Sequence, residues 1–217
     1  MGFQSTITSA EGLREIYRDP SKPALAKQID HLDQNCRAFI EHAPFVVLAS
    51  TDDEGRCDVS PKGGPPGFVT VLDEHRLGIP DLSGNNRLDS MENLVRSAGI
   101  GLLFCIPGLD ETLRVNGRAE LTTDPDVLDA CTVRDIRPRV VIGVNVEEAY
   151  IHCAKALRRA GLWEPEAWPD VSELPTVACM LRDHYAMPEL DLAAVERRLE
   201  ESYAKTTWLA GGEDVPA

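Results

Sequence analysis

Hydrophobic positions in the first 44 residues recur at helical spacing. A capping-box pattern at Thr8 and Glu11 predicts a helix over residues 9–18. After Pro23, a favourable first helical residue, apolar positions repeat every three or four residues and predict one continuous helix that ends near Ala43. Neither helix carries residues that demand chemistry, so we interpret both as packing elements beside a sheet.

From residue 45 to residue 152 the period shortens, and apolar stretches of strand length alternate with turn signals. A Pro- and Gly-rich loop is predicted over 61–67, and helices are predicted between Ser83 and Ser97 and over 124–134. Six or seven strands joined by short turns predict a closed antiparallel barrel or a curled sheet, with flanking helices. The predicted strands cover residues 45–51, 56–60, 68–72, 76–79, 99–106, 112–121 and 139–152.

After His152 the pattern becomes helical again, with a helix predicted over 153–161 and an amphipathic helix from Leu192 to Tyr203. We therefore divide the chain into N-terminal helices (1–44), a barrel (45–152) and a helical extension (153–217), and we expect all three to form a single structural domain.

Charge and cysteine usage narrow the classes of function. The 217 residues include 36 acidic and 22 Lys or Arg side chains, for a formal charge of −14, which disfavours nucleic acid as a partner. An anionic ligand would need a locally basic pocket. The six cysteines show neither a C-x-x-C pair nor Cys/His ligand spacing, so no metal site is predicted. Without a membrane-spanning run or a signal pattern, we expect a cytoplasmic protein.

Two polar segments each follow a predicted strand. Ser60, Lys62 and Gly63 combine a hydroxyl, a cation and a glycine whose backbone can approach an oxyanion closely. Farther on, Asn85-Asn86-Arg87 stands at the start of a helix, with Ser90 one turn later; helix amides and a planar guanidinium both favour an anion. Either segment alone could be a solvated loop or a polar cap. If their strands are neighbours, the two cations would converge on one phosphate.

Two further groups remain ambiguous at this level. Thr112, Arg114 and Asn116 alternate along one strand and share a face, which is either an ordinary exposed face or a donor-rich surface for a cofactor edge. His152 and Lys155 lie where the last strand gives way to a helix, and a lone histidine there is more often structural.

Taken in order, these motifs resemble the FMN-binding split-barrel superfamily, whose best-known member is pyridoxamine 5′-phosphate oxidase. The resemblance covers roughly residues 40–165, and an HCAKA element at 152–156 is similar to one in a bacterial branch of FMN-dependent flavoproteins. The motifs that carry it are SPKGG at 60–64, DLSGNNR at 81–87, NL at 93–94, GLLF at 101–104 and TLRVNGRA at 112–119.

The resemblance implies a six-stranded antiparallel split barrel and a homodimer with two FMN molecules in clefts between subunits. It implies phosphate binding by the strand that ends at Ser60 and Lys62 and by the turn at Asn86 and Arg87. Thr112 or Arg114 would lie at the flavin edge, and His152 and Lys155 would reach a flavin held mainly by the other subunit. The cofactor-binding candidates are Ser60, Lys62, Gly63, Asp81, Asn85, Asn86, Arg87, Ser90, Thr112, Arg114, Asn116, His152 and Lys155.

The implied function is an FMN-dependent oxidoreductase that passes a hydride between FMN and a small substrate. No catalytic side chain is identified. The alternatives are a flavin- or haem-binding sensor or carrier without turnover, and a deazaflavin (F420)-dependent reductase. The chain has Asn86-Arg87 where the oxidase has a basic pair, and residues 163–217 lack its C-terminal arginine signature. FMN binding is therefore implied, whereas oxidation of pyridoxamine phosphate is not.

Overall fold

The computed structural model describes residues 2–212, and the elements below are those of that range. Short 3₁₀ turns also occur at Pro165–Ala167 and Val171–Glu173. The helices are α1 (Ala10–Ile16), α2 (Lys22–Ala26), α3 (Gln34–His42), α4 (Asp89–Arg96), α5 (Pro125–Ala130), α6 (Lys155–Ala160), α7 (Val177–His184) and α8 (Leu192–Thr206). The strands are β1 (Phe45–Thr51), β2 (Cys57–Gly63), β3 (Thr70–Val71), β4 (Arg76–Pro80), β5 (Gly99–Cys105), β6 (Thr112–Thr122) and β7 (Val141–His152).

All seven strands belong to one sheet with the order β2-β1-β5-β6-β7-β4-β3, and every neighbouring pair is antiparallel. The predicted antiparallel β architecture with flanking helices is confirmed. The strand count exceeds six only because β3 is a separate strand of two residues. Strands β2 and β3 are the two edges of the sheet.

The core fills the inner side of this sheet. Alternate residues of each central strand are buried, as at Leu48 of β1, Phe104 of β5 and Leu113 of β6, all at 0 % exposure. Helix α3 covers them with Ile40, which is equally buried. Burial of each such side chain stabilises the fold by about 1.5–3 kcal/mol. Because successive side chains of a strand point to opposite faces, apolar residues are needed at every second position, and this alternation is visible in the sequence.

A bulge in β6 sets the register of the two longest strands. The pairing with β7 shifts between Asn116 and Gly117, and a Cβ added at Gly117 would lie 2.0 Å from the Asn145 carbonyl oxygen. Only glycine allows the two backbones to approach so closely. N-terminal to the bulge, Arg114 pairs with Tyr150.

The prediction of one helix from Pro23 to Ala43 is wrong. Helices α2 and α3 are separated by an extended segment in which Ile29 exchanges both backbone hydrogen bonds with Ala149 of β7, at 3.0 and 2.8 Å. The Asp33 carboxylate then caps α3 by accepting from the Cys36 amide at 2.8 Å. The apolar residues of this segment occur at helical spacing, but the segment pairs with the sheet through its backbone. The spacing of apolar residues alone does not distinguish these two arrangements.

The prediction of a loop that begins at Pro61 is also wrong, because β2 continues to Gly63. Pro61 pairs with Val47 on β1, but β2 is an edge strand, where a missing N–H need not interrupt a ladder. Lys62 therefore projects from a strand and not from a loop.

The C-terminal part adds a helix that the sequence analysis missed, α7, which packs against α8. After α8 the chain returns to the barrel: Leu82 and Ala210 form an antiparallel bridge, and the Ser83 amide donates to the Leu209 carbonyl at 2.9 Å. The division at residues 44 and 152 stays a prediction, and its ends at residues 1 and 213–217 lie outside the described residues. None of the helices described is both long and apolar enough to cross a bilayer.

Candidate functional site

A cleft of about 730 Å³ lies between edge strand β2 and the segment that connects β4 to α4. Its volume is typical of small-molecule sites, which span roughly 300–1,000 Å³. Both polar segments singled out in the sequence contribute to it, so the structure brings them together. The cofactor-binding candidates that line it are Ser60, Lys62, Gly63, Asp81, Asn85, Asn86 and Ser90.

The N-terminus of α4 opens into this cleft. Its cap residue, Leu88, has a left-handed backbone (φ +60°) and provides no side-chain cap. Asp89, Ser90 and Met91 line the cleft, and within residues 2–212 the first-turn amides of Ser90 and Met91 donate to no acceptor. Leucine is rarely left-handed, and such strain is often kept at ligand sites. Unpaired first-turn amides at the positive end of a helix dipole favour an anion.

Hydrogen bonds tie α4 to the sheet and fix the position of this helix end. The buried Ser90 hydroxyl donates to the Asp58 carboxylate of β2 at 2.5 Å. One turn later, the Asn93 amide donates to the Ser50 hydroxyl of β1 at 3.1 Å. The hydroxyl hydrogen of Ser90 is therefore used within the protein, and Ser90 acts on a ligand only through its backbone amide or its oxygen lone pairs.

Arg87 lies beside the cleft and is not among its lining residues. Its guanidinium donates to both oxygens of Asp89, at 2.8 and 3.2 Å, and its side chain is 72 % exposed. This pair lowers the pKa of Asp89. Both neighbours of Arg87, Asn86 and Leu88, do line the cleft. The convergence of Lys62 and Arg87 on one phosphate stays a prediction.

The second glycine of the SPKGG motif serves packing and not the ligand. The Gly64 amide donates to the Pro44 carbonyl at 3.0 Å, so it is not available to an oxyanion. A Cβ at this position would lie 2.5 Å from the Phe68 Cβ, which explains why glycine is required.

The charges that line the cleft nearly balance. Burial raises the pKa of Asp81, and the nearby Lys62 opposes that rise. Asp58 and Asp89 also line the cleft, but one accepts from Ser90 and the other pairs with Arg87. Arg134 adds a second lining cation that sequence reasoning missed, because nothing in its local sequence marks it. An anion bound here would meet cations and helix amides beside two carboxylates, Asp58 and Asp89, that are already partnered. It would also meet the carboxylate of Asp81, whose counter-charge in the cleft is Lys62.

Apart from Arg87, the remaining candidates form a second group on β6, on β7 and at the start of α6, and none of them lines the cleft. The Arg114 guanidinium donates to the Tyr150 hydroxyl at 2.9 Å, and Lys27 Nζ lies 5.3 Å from the centre of the Tyr150 ring. The Asn116 amide donates to Glu148 at 3.0 Å. Thr112 pairs with His152 on β7, and Lys155 begins α6 in an exposed position.

Burial lowers the pKa of His152, and the positive charges of Arg114 and Lys27 lower it further. Its ring stacks on Tyr150 with the centroids 6.4 Å apart. Tyr150 was missed by the sequence analysis, although its place two residues before His152 on the same strand face was a usable signal.

The family model for pyridoxamine 5′-phosphate oxidase matches residues 32–153, which is more than half of the chain. The chain belongs to this family. The match confirms the resemblance seen in the sequence motifs, and the seven-stranded antiparallel sheet is the split barrel of the family. The matched range covers the whole barrel, whereas α1, α2 and the segment from α6 onward lie outside it. None of the curated proteins matches this chain.

Several solved structures resemble this chain at low sequence identity. HupZ from Group A Streptococcus shares 18 % identity over 55 % of this chain and 92 % of its own, with a TM-score of 0.44. A Clostridium acetobutylicum protein related to general stress protein 26 shares 12 % sequence identity, with a TM-score of 0.42. The alignment covers 54 % of this chain and 85 % of that protein. An F420 reductase shares 16 % sequence identity over 52 % of this chain and 94 % of its own, with a TM-score of 0.38.

Proposed function

We propose that the protein is a cytoplasmic FMN-dependent oxidoreductase that transfers a hydride between FMN and a small substrate. The observation that carries this proposal is the uncapped N-terminus of α4, which faces the same cleft as Lys62. A phosphate monoester is an anion suited to both, because backbone amides and an ammonium group bind its oxygens from different sides.

Within the cleft, Lys62 and the α4 amides would hold the phosphate, with Ser60, Asn85 and Asn86 as further polar partners. The Asn85 side-chain oxygen accepts from the Arg87 amide at 3.1 Å, which leaves its NH₂ group for a ligand. Arg87 would exchange Asp89 for the phosphate, since an exposed ion pair contributes little to stability.

The second group, with Arg114, Asn116, His152 and Lys155, would act across a dimer interface on the flavin of the other subunit. One protomer does not place these residues in its own cleft. Phe45 and Val59 lie on the outward-facing side of the sheet and are 38 % and 63 % exposed, so dimerisation through this face would bury apolar area. Cationic donors near the ring would stabilise the negative charge of reduced FMN.

Bound FMN would supply the two-electron chemistry, while the chain would position the substrate and exclude water. The described lining residues include no histidine, cysteine or tyrosine. This observation favours a second candidate, a flavin-binding sensor or carrier without turnover.

Mass spectrometry of the ligand that heat releases from the purified protein tests the proposal first, and FMN is the expected result. A deazaflavin or haem would overturn it. Anaerobic addition of NADH or NADPH, followed at the yellow absorbance band of the flavin, then separates the two candidates. Bleaching of that band supports the oxidoreductase, whereas bound FMN that stays oxidised with both donors supports the carrier.

A further inference from the structure

The cleft has a second set of lining residues that the phosphate proposal does not use. They are Arg134, from the turn after α5, and Thr207, Trp208 and Gly211, from the segment after α8. None belongs to the motifs that carry the family resemblance, and residues 207–211 lie beyond the part that the family model matches. They add a cation and an aromatic ring to the cleft.

Arg134 is held in an unusual backbone conformation. Val133 and Ile136 exchange backbone hydrogen bonds of 3.0 and 2.8 Å around a two-residue turn, and Arg134 and Asp135 are both left-handed, with φ of +49° and +64°. Such turns favour Asn and Gly, whereas arginine is disfavoured there. Strained positions of this kind persist where the surrounding structure holds them, and they are frequent at ligand sites.

The Arg134 side chain is stacked and not ion-paired. Its guanidinium carbon lies 4.0 Å from the centre of the Trp208 ring. Across the described part of the chain, no carboxylate oxygen lies within 4.0 Å of its nitrogens. Stacking occupies one face of the guanidinium but leaves the N–H groups at its edge, which bind a planar carboxylate in a bidentate manner.

The segment that carries Trp208 is fixed beside the cleft. The bridge between Leu82 and Ala210 is continued by a bond from the Gly211 amide to the Asp81 carbonyl at 3.1 Å. A Cβ on Gly211 would lie 1.7 Å from the Asp81 carboxylate, so this contact requires glycine. The apolar residues that line the cleft include Pro65, Phe68, Pro80 and Leu82, and of these Leu82 is bridged to Ala210 of this segment. An occupant here would meet an apolar surface and a cationic edge.

We propose that Arg134, stacked on Trp208, binds the carboxylate of the substrate, and that the substrates are small aromatic carboxylates. The inference rests on the proposed function in that FMN fills the Lys62 end of the same cleft. The carboxylate site itself is made of residues that do not bind the phosphate. Arg134 is therefore a specificity-determining residue, and Trp208 positions it.

Isothermal titration calorimetry with benzoate, and with its uncharged analogue benzamide, tests this assignment. In the FMN-loaded protein we expect benzoate to bind at least about tenfold more tightly than benzamide, because only benzoate forms a charge-assisted pair. In Arg134→Gln the preference should fall below about threefold, while the Kd for FMN changes by less than about twofold. Arg137→Gln is the matched control, since Arg137 lies on the same segment but pairs with Asp129.

Equal binding of the two probes, no binding of either, or a preference retained in Arg134→Gln would overturn the proposal. If Arg134→Gln does not fold, Trp208→Phe should keep the preference and Trp208→Ala should lose it, because only phenylalanine preserves a stacking ring. Failure to bind FMN would instead refute the proposed function. The comparison of benzoate with benzamide would then be made on the flavin-free protein, where the same preference is expected.

Discussion

The Lys62→Met variant tests the phosphate site most directly. Methionine keeps a flexible stem of similar length on β2 but removes the charge, so the packing of this half-buried position is largely preserved. A hydrogen bond to a charged group contributes about 1.5–3 kcal/mol. The Kd for FMN should therefore rise by roughly 10- to 150-fold, since every 1.4 kcal/mol corresponds to about tenfold.

Asp81 modulates this loss. Because Lys62 lowers the pKa of Asp81 against the effect of burial, the variant should carry a more strongly raised pKa at Asp81. Protonation of Asp81 removes a repulsive charge from the cleft and offsets part of the lost attraction. We therefore expect the ratio of variant to wild-type Kd to be smallest between the two Asp81 pKa values, where only the variant carries a protonated Asp81, and to grow as the pH rises above both.

Riboflavin, which lacks the phosphate, provides the decisive comparison. Flavin fluorescence titrations of wild type and Lys62→Met with FMN and with riboflavin give a thermodynamic cycle that isolates the contact between Lys62 and the phosphate. Lys22→Met, in exposed helix α2, controls for the loss of one positive charge from the whole chain. If Lys62→Met weakens FMN and riboflavin equally, or neither, then Lys62 does not bind the phosphate.

Three further predictions concern stability and titration. Gly117→Ala should destabilise the fold by about 2–3 kcal/mol in urea, because its Cβ would overlap the Asn145 carbonyl, whereas Gly143→Ala, with 3.7 Å of clearance, should change stability far less. Burial raises the pKa of Asp81 in the folded state above its usual 3.8, so this group costs stability as the pH rises through that raised pKa. Asp81→Asn should thus increase Tm at pH 7 and not at pH 3; an unchanged Tm at pH 7 would contradict the buried charge. The pKa of His152 is held below its usual 6.5, so the fold should lose stability as the pH falls below 6.5, and Arg114→Gln should raise this pKa in an NMR titration.

Local patterns were sufficient for most of the barrel. The alternation of buried and exposed positions in β1, β5 and β6 is dictated by the strand period and by one buried face, so these strands could be read directly. The cap at Asp124 with Pro125 behind it likewise predicted the start of α5.

The predictions from sequence were wrong where local preferences and tertiary contacts disagree. Ile29 fits a helical period, yet its backbone pairs with Ala149 far along the chain. Pro61 reads as a loop residue, and only the position of β2 at a sheet edge allows it to continue a strand. Both features depend on residues far away in the sequence, so they cannot be predicted from the residues that neighbour Ile29 or Pro61.

The sequence by itself determined the family, the antiparallel barrel and the polar segments around Lys62 and Asn86, because each depends on short-range spacing and residue chemistry. Only the tertiary structure decided that these two segments share a cleft, that Arg87 pairs with Asp89 beside it, and that Arg134 stacks on Trp208 within it. These relations depend on how the edges of the sheet close and where the chain returns after α8, and that is settled by burial and backbone pairing between distant segments.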